Sequence, residues 1–268
     1  MVIEHFDGIN EGICIPAKNC RVIYDEDKLK FTEKKNPILI LGFLGSGLVG
    51  NIVATELIEQ LKMEKLGFIA TEDLPAIAIF KDGILIQPFR LYLSKENNCI
   101  VAICEIPFNK SDTYSNLARL LNAWALKVNI KEICVIQGLA EEGFPEERPI
   151  YLAAEEEIIN KLLKLTDVKI MKRGLIIGPE AAILNESLNN PINCFALLVP
   201  VNAAIPDPLG AVAIIKTLNE IYKFDLKVDR LLNEGKEIQE KLLELNQKTQ
   251  EEHRKMISMG SASSNIYL

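Results

Sequence analysis

The chain has 268 residues, of which 49% are apolar and 25% are charged, so it can bury one large core or two small ones. Its formal net charge is −7 and its lysines and arginines do not cluster, which argues against a nucleic-acid-binding surface. The N-terminus does not resemble a signal peptide, and glycines and prolines interrupt the uncharged stretches 36–55 and 187–206, so we expect a cytoplasmic protein without membrane contact.

The predicted elements alternate between short apolar strands and amphipathic helices. Strands are expected at 13–15, 21–24, 37–41, 66–70, 77–80, 84–86, 89–93, 100–106, 133–136, 174–178 and 194–201. Helices are expected after Ser46, after Ser111, over 153–165, from Pro179, and from Pro208 with Asp207 as its cap. This alternation predicts an α/β protein with three layers (α/β/α) and a mixed, largely parallel sheet.

The cysteines and histidines are poorly placed for a metal centre or a nucleophilic dyad. The six cysteines form no C-x-x-C pair, and buried reduced thiols are favoured over a disulfide. The two histidines, His5 and His253, stand at opposite ends of the chain. We therefore expect no catalytic residues, no metal and no cofactor.

A glycine-rich turn, Gly42–Gly50, follows the strand at 37–41 and contains the pattern G-x-G-x-x-G. Such a turn can bind the phosphates of a dinucleotide, or it can let a helix pack tightly against a strand. Tight packing is favoured, because no acid stands cleanly at a strand end about twenty residues later. An enzyme that binds a nucleotide or nucleoside at this turn stays open as the alternative function.

The acidic loop 138–149 also allows two interpretations. Its glutamates could bind Mg²⁺ or act as general acid and base, but a charged loop is more often simply solvated, and this is favoured.

The C-terminal forty residues predict a projecting helix that carries a flexible tail. Residues 228–257 have heptad spacing, beginning with Leu231, Gly235 and Ile238, and glutamate–lysine pairs at i,i+4 follow, beginning with Glu237 and Lys241. Residues 258–268 begin with small polar residues and end with Ile266, Tyr267 and Leu268. The predicted organisation is therefore a core over 1–227, a long helix over 228–257 and a tail over 258–268.

Several segments in register resemble the proteasome-assembling chaperone family, in the form of its archaeal homologues. They are Gly42–Asn51, Thr71–Pro75, Lys81–Gly83, Gln137–Leu139, Gly174–Pro179 and Pro206–Pro208. The resemblance covers about residues 10–245, and one departure is Leu44, where many members have proline.

The resemblance implies a single phosphorylase-like α/β domain, no established catalytic site, and a homo-oligomer, with a tetramer favoured. Members that end in hydrophobic-Tyr-any are similar to ATP-independent proteasome activators. By this resemblance we expect Ile266, Tyr267 and Leu268 to bind the α-ring of the 20S proteasome, either to open its gate or to help its assembly.

Overall fold

The computed structural model describes residues 2–4, 20–25, 27–28, 36–72, 74–108, 111–143 and 145–241. The strands are β1 (Val2–Glu4), β2 (Cys20–Tyr24), β3 (Ile38–Gly42), β4 (Glu64–Thr71), β5 (Ile79–Lys81), β6 (Ile84–Ile86), β7 (Phe89–Ser94), β8 (Cys99–Cys104), β9 (Glu132–Glu141), β10 (Tyr151–Ala154), β11 (Lys169–Ile170) and β12 (Asn193–Asn202). The helices are α1 (Val49–Gln60), α2 (Ser111–Lys127), α3 (Glu156–Leu162), α4 (Pro179–Ser187), α5 (Pro208–Tyr222) and α6 (229–241). None of the described helices is long and apolar enough to span a lipid bilayer.

Ten strands form one mixed sheet in the order β1-β2-β4-β7-β8-β3-β9-β12-β10-β11. The four central strands β8, β3, β9 and β12 run parallel. On one side of them, β1, β2, β4 and β7 pair antiparallel with their neighbours. In the centre, Ile40 lies opposite both Val101 and Cys134. Such strands are buried on both faces, which explains why they are continuous apolar runs in the sequence.

Helices cover both faces of the sheet and confirm the predicted three layers. Leu121 and Trp124 of α2 and Ile183 of α4 are buried in the core on one face, which we call the α2/α4 face. The core on the opposite face includes residues of α1, α3, α5 and α6, such as Leu57 and Ile215.

Three local predictions are wrong. Ser46 does not cap α1, because a short 3-10 turn (Ser46–Leu48) intervenes and Leu48 precedes the helix with φ of 52°. The start of the predicted helix at 153–165 is instead β10, because Leu152 pairs with Leu197 of β12, and the helix is only Glu156–Leu162.

The third wrong prediction is the strand at 174–178, which is an irregular segment. β10 and β11 already occupy the positions beyond β12, so this segment crosses to the start of α4 without pairing. Leu175 and Ile177 consequently face solvent, at 90% and 78% exposed, while Ile176 between them packs against the core.

The described cysteines confirm the prediction of buried reduced thiols. Cys20, Cys99, Cys104, Cys134 and Cys194 are all buried, and Cys99, Cys104, Cys134 and Cys194 form no disulfide. Burial raises the pKa of Cys104 and of Cys194 to about 12, so these thiols stay protonated at neutral pH and act as small apolar side chains. Cys14 lies outside the described residues.

Candidate functional site

The carboxyl ends of the central parallel strands meet at one edge of the sheet, and the glycine-rich turn lies there. This edge is where open α/β sheets commonly bind ligands. A Cβ atom on Gly42 would lie 2.4 Å from the carbonyl oxygen of Gly50, and a Cβ atom on Gly50 would lie 2.9 Å from that of Phe43. These two glycines therefore allow α1 to contact β3 directly, which supports the packing interpretation of the turn.

Gly45 is the exposed glycine of the turn, and it faces the carboxyl group of Glu180 in the first turn of α4. A Cβ atom on Gly45 would lie 3.9 Å from Oε1 of Glu180. Glu180 is only 2% exposed, and burial raises its pKa to about 7. This carboxyl group gains negative charge as the pH rises through its pKa, so above pH 7 it repels a phosphate at the turn.

Two amide side chains tie the neighbouring segments to the same edge. Asn51 donates a 2.9 Å hydrogen bond from Nδ2 to the carbonyl oxygen of Cys104, and Gln137 donates a 3.0 Å bond from Nε2 to that of Ile177. The side-chain oxygens of Asn51 and Gln137 are shielded and accept no hydrogen bond from any group in the described part of the chain. Because an ionised phosphate only accepts hydrogen bonds, it could not satisfy these oxygens, and they do not form a phosphate site.

The acidic loop after β9 is solvated, and its basic residue turns inward. Glu141, Glu142, Glu146 and Glu147 are exposed. Arg148 instead donates from a terminal nitrogen (NH1) to Oδ2 of Asp207 at 2.7 Å and to the carbonyl oxygen of Pro200 at 2.9 Å. Asp207 also accepts a 3.0 Å bond from the backbone of Gly210, as its predicted role as cap of α5 requires.

Sequence reasoning did not find the partnership of Arg148 and Asp207, because they are 59 positions apart in the chain. Across the described ranges, no three His, Cys, Asp or Glu side chains converge to hold a metal ion.

Helix α6, which leads towards the C-terminal tail, is anchored on the body. Leu231 is 2% exposed and belongs to the core on the face of α1 and α5. Arg230 forms ion pairs with Glu56 and Glu59 of α1. A Cβ atom on Gly235 would lie 2.6 Å from Cγ of Leu209, so the helix lies directly on the start of α5.

Through these contacts the first part of the predicted heptad packs on the body. The predicted pair of Glu237 and Lys241 is also present, at 3.9 Å. The rest of the helix and the predicted binding residues Ile266, Tyr267 and Leu268 lie outside the described residues.

Two exposed apolar surfaces were not predicted. The hairpin of β5 and β6 exposes Phe80 (71%), Ile84 (67%) and Leu85 (74%), and the segment before α4 exposes Leu175 and Ile177. The sequence shows a tight turn at Asp82–Gly83, but the apolar residues on both sides of it do not indicate whether the hairpin is buried or exposed. Only the position of the hairpin outside the main sheet shows that these side chains reach solvent.

Comparison with known proteins finds relatives that align with nearly the whole chain. PbaA of Pyrococcus furiosus, described as an archaeal homolog of proteasome-assembly chaperone, is 27% identical with a TM-score of 0.75 and covers 94% of this chain and 100% of its own. A Thermoplasma acidophilum protein of unknown function is 30% identical with a TM-score of 0.70 and covers 85% of this chain and 93% of its own. The uncharacterized protein MJ0106 of Methanocaldococcus jannaschii is 26% identical over an alignment of 250 residues that covers 90% of this chain and 99% of that protein.

The sequence pattern of the PAC2 family matches residues 39–246, from β3 to beyond the last described residue of α6. The predicted resemblance to archaeal homologues of the proteasome-assembling chaperone family is thus confirmed. The match covers more than half of the chain, and the predicted mixed α/β fold agrees with the folds of the solved relatives. The chain therefore belongs to the PAC2 family.

Proposed function

We propose that this protein is a cytoplasmic, homo-oligomeric and ATP-independent proteasome-binding protein, which acts as an assembly chaperone or gate activator. Its C-terminal residues Ile266, Tyr267 and Leu268 dock into the α-ring of the 20S particle. The observation that carries this proposal is the similarity to PbaA, which spans 94% of this chain at 27% identity.

The chemistry of the last residues supports a role as a peptide ligand. A polar tail does not need an isoleucine, a tyrosine and a leucine at its end for folding. Tyrosine combines a large apolar ring with a hydroxyl group, and a terminal carboxylate can pair with a cation, so such an end suits a pocket with a basic residue. Leu268 supplies the carboxylate, while Tyr267 and Ile266 shift the gate-forming segments towards the open state.

The anchoring of α6 supports the delivery of this end to a partner. Since Leu231 and Gly235 fix the first turns on the body, the following chain starts from a rigid base. A random-coil chain of eleven residues, which is the length of the predicted tail 258–268, would span roughly 17–20 Å. Several tails on one oligomer bind together with much higher avidity than a single tail, so individually weak contacts suffice. Binding energy alone biases the gate equilibrium, and ATP is not required.

The test is a pull-down with 20S particles, combined with measurement of peptidase stimulation in the absence of nucleotide. Deletion of residues 266–268 should abolish both signals, and so should one extra residue after Leu268, because it displaces the carboxylate. Tyr267→Ala should weaken both, whereas Tyr267→Phe keeps the ring and should retain more of each.

The matched control is deletion of residues 261–263, which shortens the tail equally but keeps its end. This variant should still bind and stimulate. Undiminished binding and stimulation by the 266–268 deletion would refute tail docking. If that deletion still speeds the assembly of purified subunits, the body performs the assembly role and the tail only assists.

A further inference from the structure

The last strand in the order of the main sheet, β11, leaves one edge of that sheet open. Its inner neighbour is β10, and no described strand lies beyond it. The backbone N–H of Lys169 donates to the carbonyl oxygen of Ile150 at 2.8 Å. The backbone N–H of Met171 donates to that of Leu152 at 3.0 Å. Because alternate residues of a strand direct their peptide groups to opposite sides, the N–H and C=O of Ile170 point away from β10, to the free edge.

A groove of about 730 Å³ surrounds this edge; we call it the β11 groove. Its lining includes Val168, which belongs to the core on the face of α1 and α5, and Met171, which packs against the core on the α2/α4 face. Leu163 and Ile170 also line it and are 42% and 47% exposed. The groove therefore has apolar side chains on both faces of the edge, which is where a further strand would place its own alternating side chains.

Every charged residue that lines the β11 groove is a cation. The three are Lys169, Lys172 and Arg173, which are exposed and form no ion pair with another described residue. Lys161 of α3, in contrast, is paired with Glu132 at 2.6 Å. In a chain whose net charge is −7, three unpaired cations beside an apolar groove favour an acidic ligand.

Free peptide groups, apolar walls and cations together fit an extended peptide better than a phosphate chain or a lipid headgroup. A strand that adds to a sheet edge pairs main chain with main chain, and contacts with its alternate side chains give selectivity. A phosphate chain or a lipid headgroup lacks the alternating N–H and C=O groups that the edge of β11 can pair with. Lysines on an edge strand also discourage non-specific pairing, so they restrict this edge to chains that carry acids.

We propose that the β11 groove binds an extended acidic segment of a partner protein by β-strand addition. The backbone of the segment pairs with the N–H and C=O of Ile170. Its acidic side chains pair with the three cations, and its apolar side chains contact Leu163 and Val168. This site is separate from the predicted tail 258–268, so it adds a second partner contact to the proposed function and does not depend on it.

Fluorescence anisotropy of a labelled octapeptide, titrated with the full chain, tests this proposal. Glutamate and valine alternate in the peptide, which should bind with a Kd below about 0.3 mM. The same peptide with lysine in place of glutamate should not bind. Raising the salt concentration from about 0.05 M to about 0.5 M should weaken binding, because the ion pairs are exposed to solvent.

Ile170→Pro tests the pairing of the backbone. It removes the N–H that points to the free edge but keeps the donors of Lys169 and Met171, which hold β11 on β10. Peptide binding should weaken about tenfold, because a hydrogen bond is lost and the proline ring blocks the edge. Ile170→Val keeps the N–H and should bind the peptide as the parent does. N-methylation of the peptide amides should abolish binding to the parent, a result that does not depend on how a variant folds.

A second pair of variants tests the charges. Lys169→Glu with Lys172→Glu should weaken peptide binding by about tenfold or more, because two attractions become repulsions. Lys81→Glu with Lys95→Glu is the matched control, since it changes the net charge equally. Lys81 lies on the hairpin that precedes β7 and Lys95 directly follows β7, which is six strand positions from β11. This control should bind the peptide as the parent does.

Two further measurements separate this site from tail docking. Deletion of residues 266–268 should leave peptide binding unchanged. Ile170→Pro should leave the pull-down with 20S particles unchanged. Failure of either proposal is therefore visible without the other.

Several results would overturn strand addition. They include the absence of saturable peptide binding by the parent, and unchanged binding by Ile170→Pro. Binding of oligothymidylate or phosphatidylserine vesicles at these lysines, without binding of the peptide, would make the surface a site for polyanions or membranes instead. A lower oligomeric mass of Ile170→Pro would make a second copy the occupant of the groove. A rise of about tenfold in peptide affinity on deletion of residues 242–268 would make that segment the occupant.

Discussion

Glu180→Gln should stabilise the protein at alkaline pH and leave its stability almost unchanged at acidic pH. The carboxyl group is 2% exposed, and burial raises its pKa from 4.5 to about 7. Because the folded state binds this proton more tightly than the unfolded state, the contribution of Glu180 to stability falls as the pH rises from 4.5 to 7. Above pH 7 the folded protein must hold a buried charge.

The size of the effect follows from the shift in pKa. The rise in the pKa of Glu180 from 4.5 to about 7 corresponds to roughly 3 kcal/mol of folding stability, which is lost as the pH rises between these two values. Glutamine has nearly the same shape and carries no charge, so it avoids this loss. The variant should therefore gain roughly 2–3 kcal/mol over the parent at pH 8, relative to their difference at pH 5.

Urea unfolding of the parent and the variant at pH 5 and pH 8 measures this gain in stability directly. Effects of the amide that do not depend on pH cancel when the stability difference at pH 5 is subtracted from that at pH 8. Glu157→Gln is the matched control, because Glu157 is also in the first turn of a helix but is exposed to water. A stability difference between Glu180→Gln and the parent that is equal at both pH values would refute the burial of a neutral acid beside Gly45.

Further predictions concern the packing of the turn, the buried ion pair and the nucleotide alternative. Gly50→Ala should cost about 1–3 kcal/mol in the free energy of unfolding, because its Cβ atom would lie 2.9 Å from the oxygen of Phe43. Gly83→Ala is the control, because a Cβ atom on Gly83 has no described atom within 4 Å, so the variant should lose only about 1 kcal/mol through backbone strain at φ of 77°. Equal losses of stability in the two variants would contradict the packing role of Gly50. Asp207→Ala should lower the free energy of unfolding by roughly 3–5 kcal/mol, because it removes the cap of α5 and leaves Arg148 without its carboxylate partner. The side chain of Arg148 is only 10% exposed, so water replaces that partner poorly. A loss under 1 kcal/mol in urea unfolding would show that the ion pair contributes little. Millimolar nucleotides and nucleosides should leave the melting temperature unchanged within about 1 °C, and a rise of several degrees with any of them would revive the enzyme hypothesis.

The periodicity of the chain was enough to predict the α/β class, the three layers and most of the element order. Buried parallel strands are apolar at every position, so β3 and β9 are visible as continuous runs such as Ile38–Leu41. Asp207 followed by Pro208 predicted the start of α5 correctly, because capping depends on residues that are adjacent in the chain. The family resemblance could likewise be stated from short motifs in register.

Other features depended on contacts between distant parts of the chain, and sequence patterns could not predict them. The segment 174–178 has the composition of a strand, but the places beside β12 are taken by β9 and β10, and β11 lies beyond β10, so Leu175 and Ile177 face solvent. Glu180 follows a proline in a helical first turn, where an exposed acid is expected, yet the packing of α4 against the carboxyl edge of the sheet buries it.

The sequence by itself determined what local chemistry controls: the strand and helix periods, the Asp207 cap of α5, and the composition of the tail that ends in Ile266, Tyr267 and Leu268. The tertiary structure decided the strand order, the burial of Glu180, the pairing of Arg148 with Asp207, and the exposure of Phe80 and Leu85. The physical reason is that hydrophobic burial and electrostatics depend on which groups meet in space, and groups far apart in the chain meet only once the sheet has its order.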